Sequence, residues 1–104
     1  MTNILEKIIT EKKISLDLIK KEKSLDYLEK NIKEQVFLNF KETIQKNNNI
    51  SLITEIKKAS PSAGVLVKKF NHLDIAKMYV DNGATCLSVL TEEKYFLGKL
   101  EYIQ

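Results

Sequence analysis

The chain has 104 residues, 43% hydrophobic and 30% charged, with one proline and three glycines, which is the composition of a globular domain and not of a disordered or low-complexity one. Its 17 basic and 14 acidic residues leave a net charge of +3 spread along the sequence, without the basic block and interleaved aromatics that a nucleic-acid binder needs. Cys86 is the only cysteine and His72 the only histidine, so no internal disulfide forms and no metal site is expected from that pair.

The first half reads as helical. Ile4, Leu5, Ile8 and Ile9 recur at helical spacing, and Leu16, Leu18 and Ile19 extend the apolar content. Asn3 is a candidate N-cap, with Glu6 three residues on in the capping-box position. Glu6, Lys7 and Glu11 interrupt these first apolar positions, so no signal peptide is expected. No apolar run reaches membrane-spanning length, and a cytoplasmic protein without membrane contact is expected. A second helical segment carries Leu25, Leu28 and Ile32 behind Ser24 as its cap. A third places Val36, Phe37, Phe40 and Ile44 on one face. The run Lys46, Asn47, Asn48, Asn49 is a loop on composition and closes an N-terminal helical segment, residues 1–49.

Residues 50–104 change character. The hydrophobic run 50–56 reads as a strand that runs out into the turn Ser60-Pro61-Ser62, where proline fixes φ and the serines cap locally. Val65, Leu66, Val67 and Phe70 follow. Asn71 is the expected cap of a helix with Leu73, Ile75, Ala76, Met78, Tyr79 and Val80 as its apolar positions. Asp74 suits the positive end of that helix's dipole, and His72 reads as a solvated residue at its start. Gly83 supplies the left-handed C′ position that ends it. A second β run, residues 85–90, follows, with Cys86 read as buried strand core. Strand, helix, strand is a βαβ unit, hence a parallel pair. Parallel strands are normally covered on both faces, so two of them imply an incomplete part of a larger α/β protein. Leu100 to Gln104 reads as the opening of another helix.

The chemistry concentrates at the first strand's end. Side chains alternate along a strand, so Glu55 and Lys57 share a face, roughly 6.5–7 Å apart along the chain. On spacing alone they read first as a solvated ion pair of the common, weak kind. Likewise Thr91, Glu92, Glu93 and Lys94 read as a charged loop, and Phe96 as core.

Longer motifs alter that balance. E-I-K-K-A-S-P-S from Glu55 and S-V-L-T-E-E-K-Y-F from Ser88, with Gly98, Leu100, Glu101 and Tyr102 beyond, resemble the indole-3-glycerol phosphate synthase family. The resemblance runs through the whole chain, and two long motifs at successive strand ends are specific. It implies a (β/α)8 TIM barrel with an extra N-terminal helical segment, of which only the first two barrel strands are present. It also implies a carboxy-lyase of tryptophan biosynthesis, which converts 1-(2-carboxyphenylamino)-1-deoxyribulose 5-phosphate to indole-3-glycerol phosphate with loss of CO₂ and water. By this resemblance Lys57 is the catalytic lysine, contacting the substrate carboxylate and polarising the ketone, and Glu55 orients it and hydrogen-bonds the substrate. Leu90 and Phe96 line the pocket for the anthranilate ring, and Ser60 belongs to the mobile loop over the site. Ala63 departs from the lysine often found before this glycine. No cofactor or metal is implied, and the partner is a phosphorylated small molecule.

A complete barrel needs about 250 residues. The later strands of the family supply a second lysine, a glutamate base and phosphate-binding glycine loops, so this chain alone is expected to be inactive. The alternative is a non-catalytic fragment that self-associates through exposed strand edges. A phosphosugar isomerase barrel of related shape fits the Ser-Pro-Ser context less well.

Overall fold

The computed structural model describes residues 3–46 and 49–104. The chain divides into two compact units, Met1–Phe37 and Leu38–Gln104. The first holds helices α1 (Ile4–Glu22) and α2 (Leu25–Lys30). Both expected caps form: the Glu6 amide donates to Asn3 Oδ1 at 2.8 Å, and the Tyr27 amide donates to Ser24 Oγ at 3.1 Å. Each satisfies an amide that a helix start leaves without an internal partner. No residue of α1 or α2 is buried. Helix α1 is therefore defined by its caps and its turn-to-turn hydrogen bonds more than by a core of its own.

The second unit begins with α3 (Phe40–Lys46), shorter than the apolar spacing suggests. Val36 and Phe37, expected on its face, lie outside the helix and are 97% and 80% exposed. Asn39 is the reason. Its Oδ1 accepts from the Glu42 amide at 3.0 Å, and its carbonyl accepts from both the amide and the hydroxyl of Thr43, so the helix starts at Phe40. Of the expected loop 46–49, Asn47 and Asn48 lie outside the described residues.

Strand β1 covers Ile53–Ile56 and not the whole run 50–56. Pairing begins beside Leu52, whose carbonyl accepts from Thr85 and Cys86 and whose amide donates to Thr85 Oγ1. The polar exit of β1 forms a small antiparallel hairpin, β2 (Ala59–Ser60) with β3 (Gly64–Val65), where Ser60-Pro61-Ser62 predicts only a turn. Gly64, at φ +67°, supplies the left-handed residue for its return.

Helix α4 (His72–Asp81) starts at Asn71, whose Oδ1 accepts from the amides of Leu73 and Asp74, both at 3.1 Å. It ends at Asn82, with Gly83 at φ +95° in the expected C′ position. His72 is not fully solvated: its ring stacks on Tyr102 with centroids 4.5 Å apart, beside Phe70. Strand β4 (Cys86–Val89) then pairs with β1 in parallel, Ile53 opposite Cys86 and Ile56 opposite Val89. Cys86 is half-buried, short of the core position expected, because β1 and β4 form a two-stranded sheet. Residues Leu100–Ile103 form a 3₁₀ turn where a helix opening was expected.

The result is mixed α/β with a partial parallel sheet, as the βαβ pattern requires. Among the described residues the buried apolar side chains are Ile56 and Ala59, each 3% exposed, and both flank the end of β1. Replacing Asn71 by alanine is expected to lower stability by about 1 kcal/mol, the usual loss for an N-cap, whereas Asn71→Asp keeps an acceptor and changes little. Urea denaturation of the full-length protein carrying this segment checks it; an Asn71→Ala midpoint equal to the parent's refutes the cap's role.

Candidate active site

The strand's alternation and the chain's exit together build the site. Ile56 is buried at 3% exposure, and strand alternation turns its neighbours Glu55 and Lys57 to the opposite face. Lys57 Nζ lies 3.2 Å from Glu55 Oε1, and the two side chains are 32% and 45% exposed. The Glu55 backbone is pinned as well, because Tyr79 of α4 donates its hydroxyl to the Glu55 carbonyl at 2.9 Å. This hydroxyl fixes the height at which β1 meets the helix.

Beyond Lys57 the chain closes on itself. The Lys58 carbonyl accepts from the amides of Leu66 and Val67, at 2.8 and 3.3 Å, which draws the hairpin back to the strand end. Ser60 Oγ accepts from the Ala63 amide at 3.2 Å and lies 3.4 Å from Ser62 Oγ. Its hydroxyl thus holds the turn together, and the sequence expectation that it serves the site rests on the hairpin's position.

The exit of β4 converges on the same place. The Leu90 amide donates to the Ile56 carbonyl at 3.1 Å, which sets half-buried Leu90 beside the end of β1. Six residues later the chain has doubled back far enough for the Phe96 ring to lie 6.0 Å from Lys57 Nζ, at the outer reach of a cation–π contact. The structure therefore brings Glu55, Lys57 and Phe96 together, with Leu90 at the neighbouring strand end.

The loop that carries Phe96 is more than the charged connection its sequence suggests. Glu92 accepts three backbone amides on its carboxylate, and its carbonyl accepts the Gly98 amide at 2.8 Å. Gly98 is buried against the Leu90 carbonyl, and a Cβ built there would overlap that oxygen. Leu97, between them, takes a left-handed φ of 51°. The sequence signal for Glu92 was an acid followed two to four residues on by amides in a turn, a pattern too common to single out.

An ammonium flanked by a carboxylate and an aromatic face can hold an anionic group and pass a proton to a developing oxyanion, with a flat ring held alongside. A separate cleft of about 700 Å³, lined by Lys58, Glu93, Leu97, Gly98, Lys99 and Glu101, includes none of the five expected site residues. Among the described residues no group of three or more His, Cys, Asp or Glu could hold a metal ion, and no helix is long and apolar enough to cross a membrane.

Gly98→Ala is expected to destabilise by about 1–3 kcal/mol, since the new methyl must push the Leu90 or Thr91 backbone aside. Gly64→Ala meets open space and costs only the strain of a left-handed alanine, about 1–2 kcal/mol. Thermal melts combined with hydrogen exchange at residues 94–98 separate the two: only Gly98→Ala should expose those amides, and unchanged protection there would refute the close packing.

Comparison with known proteins gives the chain a family. The profile described as Indole-3-glycerol phosphate synthase matches residues 5–104. The curated relatives include proteins named Indole-3-glycerol phosphate synthase from Clostridium acetobutylicum, 46% identical over 103 residues, and from Legionella pneumophila (strain Lens), 42% identical over 103 residues. These alignments cover 97% and 99% of this chain but 39% and 40% of the relatives. A relative of that name from Campylobacter fetus is 43% identical over 101 residues. The chain thus spans about two fifths of the length of the curated relatives it matches. With the family profile matching nearly the whole chain, it belongs to the indole-3-glycerol phosphate synthase family.

Proposed function

We propose that this chain is the N-terminal part of a synthase that closes the pyrrole ring of indole-3-glycerol phosphate, and that its βαβ unit opens a (β/α)8 barrel. The observation that carries the reading is the Lys57 ammonium, 3.2 Å from a carboxylate and 6.0 Å from an aromatic ring, at two parallel strands' common carboxyl end. Residues 1–49 are the helical segment that precedes the barrel, and 50–104 the beginning of the barrel itself.

The substrate, 1-(2-carboxyphenylamino)-1-deoxyribulose 5-phosphate, presents a ketone, an aromatic carboxylate and a phosphate. Closing the ring forms a carbon–carbon bond to the ketone carbon and puts negative charge on its oxygen. Lys57 stands ready to bind the substrate carboxylate and to stabilise or protonate that oxygen. Glu55, whose Oε1 lies 3.2 Å from the lysine Nζ, orients it. Phe96 and Leu90 offer an apolar wall for the substrate's aromatic ring, and Phe96 does so from a position already in contact with the lysine. CO₂ and water leave to restore aromaticity. The phosphate and the remaining proton transfers call on residues beyond this chain, which by itself has no activity under this reading.

In the full-length protein, Lys57→Ala is expected to lower kcat by about 100-fold to 10,000-fold, the span of a positioned proton donor. Glu55→Gln should cost less. Product fluorescence under substrate saturation measures both, with thermal melts to exclude unfolding. A Lys57→Ala enzyme with parental kcat would refute the assignment.

A second reading has its own observation. Leu52, Ile53 and Leu87, on and beside the two-stranded sheet, are 50%, 52% and 37% exposed. That sheet has only the strands β1 and β4 among the described residues, so each strand keeps an outer edge. Copies of the 104-residue chain lengthen the sheet by pairing at those edges, which brings further cover to its faces. Light scattering on the isolated chain should then show a mass that rises with concentration. A monomer at every concentration would remove this reading.

A further inference from the structure

We propose that Glu92 is a positioning residue for this chemistry: its carboxylate sets Phe96 against Lys57. The inference rests on the synthase reading and extends it to a residue whose carboxylate bonds backbone amides of the Phe96 loop.

Glu92 Oε1 accepts the Lys94 amide at 3.0 Å, and Oε2 accepts the amides of Tyr95 and Phe96 at 2.8 and 3.1 Å. One charged group therefore gathers three consecutive backbone donors, and hydrogen bonds to an ionised acceptor are roughly twice as strong as neutral ones. The third of these donors is the amide of Phe96 itself. The two ends of the loop are held independently. Leu90 is tied to Ile56 of β1 at the entrance, and Gly98 is tied to the Glu92 carbonyl and packed on Leu90 at the exit. Between these fixed points Leu97 holds a left-handed backbone conformation, φ 51°, that residues with a Cβ disfavour. Such a conformation persists only where its surroundings over-determine it.

The Phe96 ring sits at the limit of useful approach to Lys57, so a shift of about 1 Å would take it out of contact. Without the carboxylate the three amides turn toward water and the ring loses its fixed height. Glu93 offers the contrast. It is adjacent in sequence and equally charged, yet exposed and directed to the cleft with Lys58 and Lys99.

A double-mutant cycle in the full-length protein tests this, using Glu92→Gln, Phe96→Leu and their combination, with Glu93→Gln as control. Glu92→Gln keeps the shape but puts an NH₂ donor among backbone donors. It should lower kcat/KM by about 10-fold, since an ångström of misplacement can cost more than this. In the Phe96→Leu background the same change should cost less than about 2-fold, because the residue it positions is gone. Glu92→Asp, shorter but still charged, should fall between parent and Glu92→Gln and serves if the glutamine variant does not fold. Glu93→Gln should match the parent. An equal loss in both backgrounds, or a fall in melting temperature with unchanged kcat/KM, overturns the positioning role while leaving the synthase reading intact. A parent that forms no indole-3-glycerol phosphate overturns the synthase reading and this inference with it.

Discussion

The parallel register of β1 and β4 is the constraint on which the second unit's chemistry depends. Ile53 faces Cys86 and Ile56 faces Val89, so the two strands stop at the same level and release their chains in the same direction. The ladder is bounded at both ends by single carbonyls, Leu52 at the entry and Ile56 at the exit. A shift of one residue would turn Glu55 and Lys57 to the buried face and put Ile56 in their place. Register here decides which residue meets solvent and which is buried.

Two loops leave this common edge, and they are ordered by different means. The loop after β1 pairs with itself as a hairpin, anchored on the Lys58 carbonyl, with Ser60 closing its turn. The loop after β4 is closed by one backbone bond, from the Gly98 amide to the Glu92 carbonyl, and relies on one carboxylate for the amides of Lys94, Tyr95 and Phe96. Backbone donors at a strand's end need partners in either case. The hairpin finds them in its own carbonyls, whereas the Phe96 loop finds them in a side chain, which makes its geometry sensitive to a single substitution.

What the sequence revealed follows the range of the interactions concerned. Asn3, Ser24 and Asn71 were legible as caps because a cap acts over three residues. Gly83 was legible because only a residue tolerant of positive φ ends such a helix so abruptly. The Glu55–Lys57 pair followed from a period of two, and the family motifs supplied Leu90 and Phe96 beside it. Strand limits were misjudged, since apolar content continues to Ile50 while pairing depends on Thr85, 33 residues from Leu52. The third helix was drawn too long for a different reason: Asn39 competes with its apolar neighbours, and capping won. Nothing in spacing places Phe96 near Lys57, because that approach depends on the parallel register and on the fold of the loop together.

The exposure of the ion pair bears on what it can do unaided. Lys57 is one-third exposed and Glu55 nearly half, and pairs so placed contribute about 0–1 kcal/mol. A proton donor that accelerates a reaction 100-fold to 10,000-fold supplies about 3–5 kcal/mol, at 1.36 kcal/mol per factor of ten. The arrangement of Glu55, Lys57 and Phe96 therefore gives direction without the required magnitude. Coulomb attraction at 4 Å rises from about 1 to about 4 kcal/mol when the effective dielectric constant falls from 80 to 20. Exclusion of water from such a corner acts on the scale of that difference. In the proposed synthase, bound substrate and the cover over the strand ends would lower the dielectric around the lysine, with Leu90 and a Phe96 ring positioned by Glu92 as this chain's share of that cover.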